Sequence, residues 1–233
     1  MTNIRRFSFN PLCEECSVVW GPGAKDCVII DPGSSNAEER GVLDGFLASQ
    51  MLRPAAILLT HAHLDHICDC SRLQEAYDIP IYLHPDDLPT KDEFAKIAPT
   101  FGFPSESALF RTVAVSDGGT VTEAGISFKV IHTPGHSPGS VCYLLEKDGI
   151  LFSGDTLFAG TIGRTDLPFG DYDSLMRSIM DKLMTLPDGT AVLPGHGATT
   201  TIADERNGNP LLEPFNIKEE EPDPNAPPIR IHP

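Results

Sequence analysis

Apolar residues recur along this chain in two rhythms, short runs that fit strands and a three-to-four spacing that fits helices. Runs at 6–9, 17–20 and 27–30 predict three early strands. The stretch 37–51 carries Val42, Leu43, Phe46 and Leu47 at helical spacing and predicts a helix capped by Asn36, with Pro32-Gly33 closing the strand before it. A strand over 55–60 and a helix over 67–77 follow. Between 85 and 110 the pattern is irregular, with a short helix near 91–97 and four phenylalanines, Phe94, Phe101, Phe103 and Phe110, so this stretch is read as a lid whose phenylalanines are core or pocket wall. Strands return at 113–115, 126–131, 140–145 and 150–152. A Gly-rich loop, a helix over 172–184, a strand at 191–193 and a short helix near 202–207 complete the pattern. From Glu213 on the chain turns to Glu, Asp and Pro with too little apolar content for a core of its own. Residues 1–212 are therefore read as one domain and 213–233 as an acidic, proline-rich tail.

Composition narrows the function classes. A length of 233 residues suits one α/β domain, and 33 acidic against 17 basic residues give a formal charge of −16, which repels phosphate backbones. A nucleic-acid partner is not expected. No run of eighteen apolar residues and no amino-terminal apolar segment appears, so a cytoplasmic protein with no membrane partner is expected. The six cysteines are too sparse and irregular for a disulfide framework and are read as free thiols, the pair Cys13 and Cys16 included.

One local grammar recurs four times: a buried strand, a few turn residues, then a metal-capable side chain. Residues 55–59 lead to His61, 128–131 to His136, 150–152 to Asp155 and 191–193 to His196. Ligands at the carboxyl ends of buried strands gather at one rim of a sheet, where open α/β structures bind ligands. The first segment carries His61, His63, Asp65 and His66 within six positions. His61 and His63 can grip one ion, Asp65 and His66 suit a second close by, and the two oxygens of Asp155 can bridge both. Imidazole with carboxylate suits Zn²⁺ and also Fe or Mn. Seven such groups buried without metal would carry a desolvation and repulsion cost that packing hardly offsets.

These residues resemble the metallo-β-lactamase fold hydrolases. The motifs are Thr60-His61-Ala62-His63-Leu64-Asp65-His66, Thr133-Pro134-Gly135-His136, Ser153-Gly154-Asp155 and Pro194-Gly195-His196-Gly197, and the resemblance spans about residues 9 to 212. Within that fold the chain is most similar to the glyoxalase II branch, in its short form without the extra C-terminal helical domain. The run from Gly163 to Pro168, then Gly170-Asp171-Tyr172, Glu205-Arg206-Asn207 and Asn209-Pro210, carry that likeness. The resemblance implies an α/β, four-layer αβ/βα sandwich of two mixed sheets with outer helices. It also implies that His61, His63 and His136 hold the first of two divalent metal ions, expected to be Zn. Asp65, His66 and His196 would hold the second, with Asp155 bridging. Zinc β-lactamases of the common dinuclear kind place a cysteine where Asp155 stands and lack a histidine at the place of His66, so a lactamase is not expected.

The implied chemistry is thioester cleavage, most nearly of hydroxyacylglutathione, by a hydroxide shared between the metals and oriented by Asp65. Lowering a water's pKa from 15.7 to roughly 7 supplies on the order of 12 kcal/mol, against roughly 3–5 for a side-chain base, so no dedicated base is required. Two alternatives stand beside it: a mononuclear iron persulfide dioxygenase using the positions of His61, His136 and Asp155, and a non-catalytic metal-binding protein. A Gly-X-Ser-X-Gly match at 135–139 fails as a serine elbow because Pro138 has no N–H for the oxyanion. Arg164 either binds a substrate carboxylate or pairs with Asp166 or Asp171. Cys68 and Cys70 are read as small buried hydrophobes, His132 as a neighbour of the site or a core residue, and His84 and His232 as without companions.

Overall fold

The computed structural model describes residues 1–102 and 109–213. The phenylalanine Phe103, the side chain of Phe101 and the tail from 214 onward, with His232, lie outside the described residues. The early apolar runs become β1 (Asn3–Phe9), β2 (Glu14–Trp20) and β3 (Asp26–Ile30), paired antiparallel in that order. Helix α1 (Ala37–Gln50) crosses to β4 (Arg53–Leu58), which lies parallel to β3. The Asn36 side chain accepts from the N–H groups of Glu38 and Glu39, which caps α1 as its sequence predicts.

The helix expected over 67–77 is instead two, α2 (Leu64–Ile67) and α3 (Cys70–Tyr77). The break has a cause in Asp69, whose buried carboxylate accepts from the Ser34 hydroxyl at 2.8 Å and from Arg72 at 2.6 Å instead of facing solvent. Strand β5 (Ile81–Leu83), helix α4 (Leu88–Ile97) and strand β6 (Val113–Ala114) complete the first sheet. The second sheet is built from β7 (Thr120–Glu123), β8 (Ile126–His132), β9 (Val141–Leu145) and β10 (Ile150–Gly154), successive strands antiparallel. A small hairpin of β11 (Leu157–Phe158) and β12 (Thr161–Ile162) occupies the Gly-rich loop. Helix α5 (Tyr172–Ser178) runs into a π-helical turn at Ile179–Leu183, after which β13 (Ala191–Pro194) pairs parallel to β10. Strand β14 (Thr200–Thr201) and helix α6 (Ile202–Gly208) follow. The short strands β5, β7 and β14 have too few residues to show a period.

Three apolar clusters explain the layering. Val28, Leu58, Phe128, Tyr143 and Phe152 fill the space between the sheets. Leu43, Leu47, Ile57 and Leu73 seal α1 and α3 onto the outside of the first sheet, and Leu144, Leu151, Leu175 and Ile179 seal α5 onto the second. Each such side chain contributes about 1.5–3 kcal/mol of burial, so the sandwich has its own support apart from any ion. This is the four-layer αβ/βα arrangement. The sheets also join at their rim, where the Val141 N–H donates to the Thr60 carbonyl at 2.8 Å and the Tyr143 hydroxyl to the Leu59 carbonyl at 3.1 Å. Among the described residues no helix is long and apolar enough to cross a membrane.

Candidate metal centre

Strands β8, β10 and β13 point the same way and β4 ends at the joined rim, so their outgoing loops converge. The structure brings all seven candidate residues together there. His61 and His63 follow β4, His63 with extended backbone just before α2, and Asp65 and His66 lie in the first turn of α2. His136 sits in the turn after β8, Asp155 directly after β10 and His196 just beyond β13. The His136 Nε2 lies 2.8 Å from His63 Nδ1, and donor atoms of His61, His63 and His136 form one group. Asp65, His66 and His196 form another, with His196 Nε2 at 3.2 Å from an Asp65 oxygen. Asp155 stands between them, one oxygen 3.5 Å from His66 Nε2 and the other 3.4 Å from His136 Nε2 and 3.6 Å from His196 Nε2.

The donor set fits metal. The Nε2 atoms of His61 and His66 and one oxygen of Asp155 are buried with no hydrogen-bond partner, an expensive arrangement unless a cation receives their lone pairs. Four of the five rings have the other nitrogen tied to oxygen, which orients the ring and turns Nε2 toward the centre. His61 donates to the Thr60 hydroxyl at 3.1 Å, His66 to Asp31 at 3.1 Å, His136 to the Arg164 carbonyl at 2.8 Å and His196 to the Leu12 carbonyl at 3.0 Å. His63 differs: its Nε2 has no partner, and the Phe94 ring meets the imidazole edge to face at 4.7 Å.

Sequence reasoning missed the residues behind this set. Asp31 accepts from the Thr60 N–H at 2.8 Å and hydroxyl at 2.6 Å as well as from His66, so one carboxylate supports a ligand of each group. A signal was present, because Asp31 follows a buried strand as the ligands do. Asn10 donates to the carbonyls of Gly33 and Asp65, both at 3.0 Å. Glu14 is fully buried beside the centre with neither oxygen hydrogen-bonded, and burial, with Asp31, Asp65 and Asp155 nearby, pushes its carboxyl well above the usual range. His84, expected to stand alone, stacks on His132 with centroids 4.0 Å apart. Cys68 and Cys70 are buried, and the Cys68 thiol donates to the Leu64 carbonyl.

The two histidine sets differ in charge. Burial and the neighbouring His66, His63 and His136 push His61 well below its ordinary value, and burial and His136 do the same to His63. For His66 burial works against the charge, yet Asp65, Asp155 and Asp31 outweigh it and raise the ring to about 10. An ion entering the Asp65–His66–His196 set must therefore displace a proton. Its affinity should fall about tenfold per pH unit below about 10, whereas His61 and His63, lowered by burial, bring no such proton to the first set. Calorimetric metal titration in two buffers of different ionisation heat counts these protons, and no proton released with the second ion would contradict the assignment.

A cleft of about 560 Å³ opens on the centre, walled by Leu12, Phe158, Ile162 and Leu167. Arg164 is the one cationic side chain among the described lining residues, and its guanidinium is held by Asp166 through bonds of 2.7 and 2.8 Å. Of its two expected acidic neighbours, Asp166 and not Asp171 is the one it meets, in a pair that is exposed on both sides. Glu205 on α6 holds this wall by accepting from the Gly160 N–H at 2.9 Å and the Thr200 hydroxyl at 2.6 Å. Phe110 is in the core. At Gly195, an added Cβ would stand 2.4 Å from an Asp155 oxygen and 2.7 Å from His66 Cε1. Gly195→Ala should displace both ligands while the fold survives, lowering metal-dependent turnover roughly 10–100-fold at unchanged far-UV circular dichroism.

Comparison with known proteins gives consistent matches. A model of the Metallo-beta-lactamase superfamily matches residues 15–196. The "Probable metallo-hydrolase YqgX" of Bacillus subtilis is 37% identical over 82% of this chain and 89% of that protein. "Hydroxyacylglutathione hydrolase GloC" of Haemophilus influenzae is 34% identical over 90% of this chain and 98% of its own length. Among solved structures, TTHA1623 "in a di-iron-bound form" has a TM-score of 0.80 at 38% identity, covering 89% of this chain and all of that one. "BLEG-1 B3 metallo-beta-lactamase" has 0.77 at 37%, covering 90% and 99%. ETHE1 from Myxococcus xanthus has 0.73 at 27%, covering 89% and 83%.

Proposed function

The chain belongs to the metallo-beta-lactamase superfamily of metal-dependent hydrolases, and from that membership we propose that it cleaves thioesters at a dinuclear centre. The observation that supports the two-ion reading is the place of Asp155 between two complete donor groups, within reach of His136 of the first and of His66 and His196 of the second. His61, His63 and His136 would hold one ion and Asp65, His66 and His196 the other. Zinc is the expected element, and the di-iron form of TTHA1623 keeps iron beside it. Divalent ions held by these residues would supply acidification of a bound water to about neutral pKa and polarisation of a carbonyl.

The chain's own residues do the rest. Asp65 is held by its neighbours as an anion: burial would raise its carboxyl, but His66, His196 and His63 bring it far below the usual range. An ionised Asp65 can accept a proton bond from the attacking water and aim its lone pair at the substrate carbonyl. Leu12, Phe158, Ile162 and Leu167 exclude water on the side where the substrate must lie. Apart from the donor residues the described cleft offers a leaving group no acid, which suits a thiolate, since it departs without protonation. The name of GloC supports an acyl thioester of glutathione as one substrate.

The same wall argues for breadth. Arg164, already paired with Asp166, is the one cation the described cleft offers to the two glutathione carboxylates, so at least one of them goes without a partner. Of the basic residues after His196, Lys218 and Arg230 lie outside the described residues and Arg206 is bound to Asp188. A lost arginine–carboxylate contact costs roughly 10–100-fold in affinity. The test is kcat/KM for one acyl group carried on glutathione and on a small neutral thiol, beside a metal count. Two ions per chain and a ratio below about a thousandfold, roughly 4 kcal/mol, are expected. A larger ratio would refute the breadth, one iron with oxygen consumption would replace the reading by dioxygenation, and tight metal without turnover would leave a binding protein. The likeness to BLEG-1 favours one second substrate class, β-lactams, whose amide carbonyl presents the same target. Turnover of a chromogenic β-lactam exceeding that of every thioester would reverse the assignment.

A further inference from the structure

Asp87 ends the 3₁₀ turn Pro85–Asp87 after β5 and is fully buried, although it is no member of the donor set. One of its carboxylate oxygens accepts from the Ala62 N–H at 2.7 Å, the other from the Gly139 N–H at 2.9 Å and the Thr90 hydroxyl at 3.3 Å. Ala62 lies between His61 and His63, and Gly139 lies three residues beyond His136. A single carboxylate therefore bonds the main chain of both loops that carry the first ion's three histidines.

The surroundings keep these partners in register. At Gly139 an added Cβ would lie 2.5 Å from the Asp87 nitrogen, so the loop approaches as only glycine allows. The His84 ring accepts from the Asp86 N–H at 3.3 Å and stacks on His132, whose Nε2 donates to the Pro138 carbonyl at 2.9 Å. The turn bearing Asp87 is thus fastened to both ends of the His136 loop. The second donor group depends on other anchors: His66 on Asp31, the Asp65 main chain on Asn10, and His196 on the Leu12 carbonyl.

We propose that Asp87 is a positioning residue that sets the spacing of His61, His63 and His136 and so governs affinity at the first metal site alone. On both loops the donor is a backbone N–H group, so the carboxylate holds the loops themselves rather than a ring. An amide cannot replace it, because Asn offers one acceptor and would turn its NH₂ toward the other N–H. The inference rests on the metal-centre reading but not on the thioester, and its readout is affinity, independent of turnover.

The experiment compares Zn²⁺ affinity, by competition with a chromophoric chelator, in two parents. His196→Ala leaves the first donor set complete and His136→Ala the second. Adding Asp87→Asn should weaken Zn²⁺ in the first parent by about tenfold or more and in the second by no more than about threefold. Circular dichroism of the metal-free proteins checks the fold. Should Asp87→Asn not fold, Asp87→Glu, which keeps charge and acceptors but shifts them by one methylene, is held to the same criteria. Equal weakening in both parents, as a purely structural role would give, overturns the proposal, and so does unchanged affinity in the first. If neither parent binds zinc, the metal-centre reading fails and takes the proposal with it.

Discussion

Asp155→Ala should empty both metal positions and lower turnover by at least about 10³-fold while the protein stays folded. The side chain faces His66, His136 and His196 and contributes to none of the apolar clusters, so its removal costs the sandwich little. What it removes is the single anion shared by the two donor groups. Cations held by the two groups would repel one another, and a carboxylate placed between the groups would offset part of that repulsion. Without it the first site keeps three neutral imidazoles and the second loses one of its two carboxylates. Elemental analysis should fall from two ions per chain to below one, with turnover falling alongside. Two retained ions, or activity within about tenfold of the unaltered protein, would remove Asp155 from its bridging role.

Asp65→Ala should act on one ion only and cost turnover two to three orders of magnitude. Its side chain approaches His66 Nε2 at 3.6 Å and His196 Nε2 at 3.2 Å, so the second donor group would be left with imidazoles and the shared carboxylate. The loop itself should hold, because the Asp65 main-chain carbonyl accepts from Asn10 and is untouched by the substitution. About one ion per chain is expected, bound at the first set. Full activity in Asp65→Ala would show that neither the second ion nor the orientation of the attacking water depends on this residue.

The gathering of the seven candidate residues was legible because its signals are local. Four buried apolar runs each lead, after one to four turn residues, to a His or Asp, the first of these segments carries His63, Asp65 and His66 as well, and such runs deliver their ends to one rim. What supports the donors was not legible, because every supporting contact is made across the fold. Asp31 reaches Thr60 and His66, Asp87 reaches Ala62 and Gly139, and Asn10 reaches Asp65, separations of 25 to 55 residues. No pattern of hydrophobicity records such a crossing. The same reason explains His84, which meets its companion His132 only because β5 and β8 end at the same rim. The long helix expected over 67–77 failed for a related cause: Asp69 turns inward to meet Ser34, Arg40 and Arg72 and interrupts it. The main strands and α1 came through because burial alone dictates them.

The distribution of sulfur carries a last consequence. A thioesterase discharges a free thiol at its own centre on every turnover, the kind of molecule that forms mixed disulfides with accessible cysteines or strips soft metals from thiolate ligands. Here the donors are all nitrogen and oxygen. Five of the six cysteines are buried, and burial first, with nearby acidic groups, pushes Cys27 up to about 12 and Cys16, Cys68 and Cys70 up as well, while Cys142 rises to about 11. None of these five offers a thiolate near neutral pH. Cys13 alone is exposed, beside the cleft residue Leu12. If thioesters are the substrate, as proposed, Cys13 is the one thiol of the six placed to exchange with the released product, and the donor set itself has no sulfur to lose.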